Sequence, residues 1–259
     1  MPQDKEVYIM MVVPHLIGGM CNQFFQIASA YALARKVGGQ MAINYDLDWV
    51  CMTPLGPPSR YRDNVYRNIP ATSSVPQLHI KEPKFSYTEI QAPPSECILE
   101  GYYQSPKYFD EYREDIKNLF CFDSAHDCSH LVGDDTVGVH IRRADYVSLP
   151  TVHGILDVDY YKRAIDQVDG ENVVICSDDP DWAYEHFGDQ CQISNFESEV
   201  DDLYLLSQCK KVIMSNSSFS WWGAYLGIEK ETVIAPSKWF GPDGPQDYND
   251  VYLGGWKKL

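Results

Sequence analysis

From residue 131 onward, short apolar runs alternate with segments whose apolar side chains recur every three or four positions. That alternation constrains the fold more than any other feature. It predicts strands at 136–141, 173–176, 211–214 and 232–235, with helices over 158–168, 200–209 and 219–226. Pro180 suits the first turn of a further helix. Val200, Leu203, Leu205 and Leu206 give the 200–209 segment its apolar face. A β-α-β-α string of this kind makes a parallel sheet with helices on both faces, and such sheets bind ligands beyond the carboxyl ends of their strands.

The first half begins the same way. An apolar run at 7–13 ends at Pro14, and Gly18 and Gly19 follow in a turn. Phe24, Phe25, Ala28, Tyr31, Ala32 and Arg35 then have helical spacing, Gly38 and Gly39 stop the helix, and 41–45 is the next strand. The character changes at 51–94, which holds half of the 16 prolines. It reads as an irregular excursion over the surface, given to recognition rather than core. A polar linker falls near 121–134. The expectation is two doubly wound domains, 1–130 and 131–259.

Charge narrows the partners. Over 259 residues, 37 acidic side chains oppose 21 basic ones, and residues 131–259 alone carry 22 against 10. So acidic a chain repels phosphate polymers, which excludes a general nucleic-acid binder. No stretch approaches the ~18 apolar residues of a membrane span, and mean hydropathy is −0.33. Residues 1–13 lack the pattern of a cleaved leader, so a cytoplasmic address is expected. The eight cysteines, at 21, 51, 97, 121, 128, 176, 191 and 209, are scattered and read as buried reduced thiols.

Four motifs can carry chemistry. His140, Arg142, Arg143, Asp145 and Tyr146 stand at the carboxyl end of the 136–141 strand. Adjacent arginines in an acidic half suit a phosphate in two-point contact, or an internal pairing with Asp145. Ser215, Asn216, Ser217, Ser218 and Ser220 precede Trp221 and Trp222 where a strand meets a helix. Free N–H groups and hydroxyls there suit an anion, while helix capping accounts for one serine. Ser177, Asp178 and Asp179 stand where carboxylates can meet a ribose or guanine, or cap the helix opened by Pro180. Gly18, Gly19, Asn22 and Gln23 form a glycine turn with polar side chains at a helix start. Cys121, His126, Cys128 and His130 are spaced more tightly than zinc modules, so a mobile linker is the better reading. Asp46 with Asp48, and Asp157 with Asp159, have metal-site spacing, but the first pair closes a strand and the second starts a helix.

Together the motifs resemble the family-11 glycosyltransferases, the α-1,2-fucosyltransferases that act on GDP-fucose and galactosides. The resemblance also takes in His153 to Leu156, Asp202 to Cys209 and Val233 to Pro236. It implies an α/β chain of GT-B type with two Rossmann-like domains having parallel sheets. The N-terminal domain (1–130, with the excursion 51–94) would serve the acceptor, and the C-terminal domain (131–259) would bind GDP-fucose. It further implies inverting transfer to the 2-hydroxyl of a galactose-terminated glycan, with no metal or other cofactor. Arg142, with Arg143 and His140, would hold the pyrophosphate. Ser217 and Ser218, beside Asn216 and Ser220, would meet the β-phosphate, and Asp178, beside Ser177, the guanosine. Asn22, Gln23, Gly18 and Gly19 would line the sugar side. Asp145, His153 and Asp157 are candidate bases by chain position. Cys21 stands where the family has glycine, which predicts strain in that turn.

Overall fold

The computed structural model describes residues 10–47, 57–170 and 172–259. The start of the expected 7–13 strand, Asp48, Cys51 and Pro54 lie outside the described residues. The chain divides into two compact units, Met1–Cys121 and Phe122–Leu259.

Unit 1 contains β1 (Met11–His15), α1 (Met20–Lys36), β2 (Gln40–Met41), β3 (Leu78–Lys81), β4 (Cys97–Glu100) and α2 (Arg113–Leu119). Its sheet has the order β2-β1-β4-β3, with every pair parallel. β1 runs through Pro14 rather than ending before it. The strand tolerates the proline because β2 stops at Met41, opposite Val12, so no bond to β2 is lost at position 14. The strand expected over 41–45 shrinks to two residues and a single bridge from Ile43 to Ala71. α1 begins at Met20, so Cys21 sits inside its first turn with helical geometry. The strain expected at Cys21 is absent, since the positive-φ position is Gly18 (φ 76°).

The proline-rich excursion is not all surface. Tyr61, Val65 and Tyr66 are buried, and Tyr66 meets Phe24 edge-on at 5.9 Å. Phe24 in turn stacks on Phe120 at 3.8 Å, and Tyr66 Oη donates to Gln23 Oε1. Aromatic side chains are the apolar area that an irregular segment can bring to a core without regular structure.

Unit 2 contains β5 (Thr136–Ile141), α3 (Ala144–Ser148), α4 (Pro150–His153), α5 (Val158–Ile165), β6 (Asn172–Ser177) and α6 (Pro180–Phe187). It continues with β7 (Gln192–Ile193), α7 (Glu199–Gln208), β8 (Lys211–Ile213), α8 (Ser218–Tyr225), β9 (Thr232–Ala235) and β10 (Lys257–Lys258). All its strands pair in parallel, in the order β10-β9-β8-β5-β6-β7. This is the Rossmann order, whose switch point falls between β5 and β8. Gly138 lets α7 approach β5, since a Cβ there would lie 2.9 Å from Cys209 Sγ. The core between sheet and helices includes Val137, Val139, Ile141, Tyr161, Phe187 and Ile213.

The 121–134 segment is fixed rather than mobile. Asp201, at 4% exposure, accepts from the His126 backbone N–H at 2.8 Å and meets its ring Nδ1 at 2.7 Å. Among the described residues no three His, Cys, Asp or Glu side chains gather to hold a metal, and no helix is long and apolar enough to cross a membrane. The described cysteines are buried, apart from the half-buried Cys191. Burial pushes the Cys97 thiol up to about 11 and Cys209 to about 12.

Candidate active site

The carboxyl ends of β5, β6 and β8 carry the polar residues of unit 2. Because Ile141 registers with Ser177, the chain leaving β5 at Arg142 runs beside Asp178. Arg142 Nη1 lies 3.0 Å from Asp178 Oδ2, and Nη2 donates to Asp145 Oδ1 at 2.7 Å. Arg143 Nε donates to Asp179 Oδ2 at 3.1 Å, with its guanidinium 4.2 Å from the Trp182 ring centroid. The other Asp178 oxygen accepts from the Arg143 N–H at 2.8 Å. Both arginines are therefore locked, and each uses only part of a five-donor fork. Arg142 keeps a side-chain exposure of 27%.

Of the two readings open for the acidic pair, the structure realises the cap, through Asp179 alone. Asp179 caps α6 by accepting from Trp182 N–H at 3.3 Å, while Asp178 faces Arg142. Ser177 Oγ accepts from Asp179 N–H at 3.0 Å and tightens the turn. Asp157 likewise caps α5.

Across the switch point, the β8–α8 turn divides its work among its residues. Ser217 is the N-cap of α8, accepting from Phe219 N–H at 3.2 Å. Ser220 is fully buried and donates within the turn, to the carbonyls of Ser215 or Ser217. Asn216, 4% exposed, faces the carbonyls of His153, Gly154 and Trp239 at 2.6, 3.2 and 3.0 Å. Ser218 is half-buried, and its hydroxyl has no partner among the described residues. It is the one hydroxyl of α8's first turn left over.

His140 joins the two sides. Its Nδ1 lies 2.9 Å from Ser215 Oγ and its ring stacks on Phe219 at 4.7 Å. Burial, then the Arg142 charge, push its pKa down to about 3, so the ring is neutral at physiological pH. Tyr146 was quoted in the motif but given no role. It bonds the Asn216 carbonyl at 3.0 Å and stacks on His153 at 4.2 Å. Burial lowers the His153 pKa. Only the three-dimensional pairing of the strand ends reveals these contacts.

Gly18, Gly19, Asn22 and Gln23 stand in unit 1, at the start of α1. Gln23 is buried, its amide spent on the Gly18 carbonyl at 2.9 Å and on the Tyr66 hydroxyl. Gln26 clamps the same turn through both backbone groups of Ile17. Gly18 cannot carry a side chain here, since a Cβ would meet Asn22 Nδ2 at 2.6 Å.

Two units, each built on a parallel sheet with its own switch point, make a glycosyltransferase fold of GT-B type. The chain belongs to glycosyl transferase family 11, whose model matches residues 76–259. It is 32% identical to the O-antigen biosynthesis glycosyltransferase WbnK of Escherichia coli, over 87% of this chain and 93% of that one. It is 28% identical to galactoside alpha-(1,2)-fucosyltransferase 2 of Bos taurus, over 94% of this chain and 76% of that one. The fold is that of NodZ alpha-1,6-fucosyltransferase co-crystallized with GDP, with a TM-score of 0.57 at 16% identity, covering 84% of this chain and 92% of that one.

Proposed function

We propose that this protein transfers L-fucose from GDP-fucose to the 2-hydroxyl of a galactose-terminated glycan, with inversion and without a metal ion. The observation that carries the reading is the Arg142–Arg143 pair after β5, oriented by Asp145, Asp178 and Asp179, with the unengaged Ser218 hydroxyl in the turn after the neighbouring strand β8. Fucosyl transfer builds negative charge on the departing diphosphate. Fixed guanidinium donors and the positive end of α8 stabilise that charge without reorganising as it forms. The bovine relative, named as a galactoside alpha-(1,2)-fucosyltransferase, supports the donor sugar and the linkage. WbnK, named for O-antigen biosynthesis, supports a glycan as acceptor.

The residues take distinct parts. Arg142 and Arg143 hold the diphosphate, with Ser218 and the α8 N-terminus on its β-phosphate. Asp178 retains lone-pair capacity for the guanosine while holding Arg142. Asn22 offers no basic nitrogen, and Asp145 is committed to Arg142. His153, whose pKa burial lowers, is the favoured acceptor of the hydroxyl proton.

The test is the purified protein with GDP-fucose and a panel of galactose-terminated oligosaccharides in EDTA. GDP release with addition of one α-1,2-linked deoxyhexose is expected. Across pH, the acid limb of kcat/KM should fall below the ordinary histidine range. Tight GDP-fucose binding with no transfer across the panel would make the protein a nucleotide-sugar binder instead. Strict dependence on an added divalent ion would remove the metal-free mechanism.

A further inference from the structure

The proposed mechanism gives no part to Tyr146, the last residue of the arginine motif. Tyr146 stands on α3, and neither α3 nor α4 buries a residue. A segment of that kind is not placed by core packing, so its polar and ring contacts decide where it sits. Those contacts converge on residues from three segments: Tyr146 on α3, His153 at the end of α4, and Asn216 in the β8–α8 turn.

The three residues form a closed ring of contacts. The Tyr146 hydroxyl donates to the Asn216 carbonyl at 3.0 Å. The Asn216 side-chain amide donates back to the carbonyls of His153 and Gly154, at 2.6 and 3.2 Å. The His153 ring lies flat on the Tyr146 ring, with centroids 4.2 Å apart and planes inclined by 8°. His153 is therefore held at its backbone by Asn216 and at its ring by Tyr146. Neither imidazole nitrogen has a hydrogen-bond partner among the described residues, so the stack sets the direction of the ring.

Tyr146 also faces Arg142, whose Cζ lies 5.5 Å from its ring centroid. A ring that already faces a guanidinium is a poor partner for a second cation, so the stack favours the neutral imidazole. Burial lowers the His153 pKa, while of the charges facing it Asp145 raises it and Arg142 lowers it. Tyr146 itself, pushed up to about 12 chiefly by burial, keeps its proton. A neutral imidazole has a nitrogen lone pair to take a proton, and an imidazolium has none. In the proposed transfer the acceptor hydroxyl gives its proton to that nitrogen as its oxygen bonds the fucosyl carbon. The bond from that carbon to the diphosphate breaks, and its electron pair leaves on GDP.

We infer that Tyr146 is the positioning residue for His153, its ring fixing the direction of the imidazole and its hydroxyl tying that ring to the β8–α8 turn. The inference rests on the proposed role of His153 as the base, and its test reads the contact and the base separately. The His153 ring proton is followed by NMR across pH on the full chain, assigned by its loss in His153→Gln. GDP release gives kcat and KM for the same proteins. Wild type should titrate below the ordinary histidine range. In Tyr146→Ala the titration should move up toward that range, and the acid limb of kcat/KM should move with it. The kcat of Tyr146→Ala should fall about tenfold. Its KM for GDP-fucose should stay within about threefold, since Asp145 and Asp178 hold Arg142 without Tyr146. Tyr146→Phe keeps the ring and loses only the bond to Asn216, so it should keep the wild-type titration and a kcat within about threefold. Because α3 buries no residue, truncation at 146 leaves the core intact. An unmoved His153 titration in Tyr146→Ala, or a loss in Tyr146→Phe as large as in Tyr146→Ala, overturns the inference. A titration that moves while the acid limb stays overturns His153 as the base and leaves its positioning by Tyr146 standing.

Discussion

Arg142 shows how one residue combines two requirements. Asp145 comes from three positions along the chain and Asp178 from the neighbouring strand end, and together they fix both ends of the guanidinium. If Arg142 is the transition-state donor we propose, replacing it with alanine should lower kcat about 100-fold or more, as measured by GDP release. Arg142→Lys should fail nearly as badly, because an ammonium group cannot span both carboxylates in the same plane. Near-normal turnover in either variant would remove Arg142 from the diphosphate site. The motif around Arg142 was legible in the sequence because it is local. Its clamp by Asp178 was not, because that contact follows from β5 and β6 pairing in register across 36 positions. The same holds for Asn216, a ligand contact by its motif, which the fold turns toward three backbone carbonyls from two other segments.

At the scale of the elements, α7 gathers its charge at one end. Its first turn carries Glu199, Asp201 and Asp202, favourably placed at a helix N-terminus. Asp202 is nevertheless pushed up to about 6, chiefly by burial, against the lowering bond from Ser194. A carboxyl whose folded pKa lies above its unfolded value binds its proton more tightly when folded. The stabilisation is full below about pH 4 and is lost as pH rises through 6. Asp202→Asn cannot titrate, so its stability relative to wild type should rise by about 1–1.5 kcal/mol between pH 5 and pH 8. Urea unfolding of both proteins at the two pH values measures this. A difference that does not change with pH would mean that Asp202 is not titrating in that range. Elements such as α7 and α8 were readable because their apolar spacing and serine caps are local. The short α3 and α4 bury no residue and so offered no periodicity to read. The buried Tyr61–Tyr66 stretch was hidden because proline and polar neighbours mask aromatic core in an irregular segment.

At the scale of the whole molecule, each unit closes its own parallel sheet around its own switch point, and the polar side chains at the two points differ in kind. Unit 2 presents arginines in a chain segment where acidic residues outnumber basic ones by more than two to one. Unit 1 presents amides and a tyrosine ring. A dianionic nucleotide therefore has one favourable destination, and its binding should be felt in one unit. Ligand that binds only the folded state stabilises it by RT ln(1 + [L]/Kd), about 2.7 kcal/mol at a hundredfold excess over Kd. Hydrogen exchange with saturating GDP should slow at the end of β5 and around the β8–α8 turn, residues 140–143 and 214–220. Exchange over β1 and the first turns of α1 should stay unchanged. Arg142→Ala should abolish the protection without altering the unliganded pattern of unit 1, because its partners Asp145 and Asp178 both lie in unit 2. Protection that appears first at 18–26 would reverse the assignment of donor and acceptor to the two units. The acidic balance that excludes polymeric phosphate is compatible with a single diphosphate because three aspartates already orient the two arginines that we propose receive it.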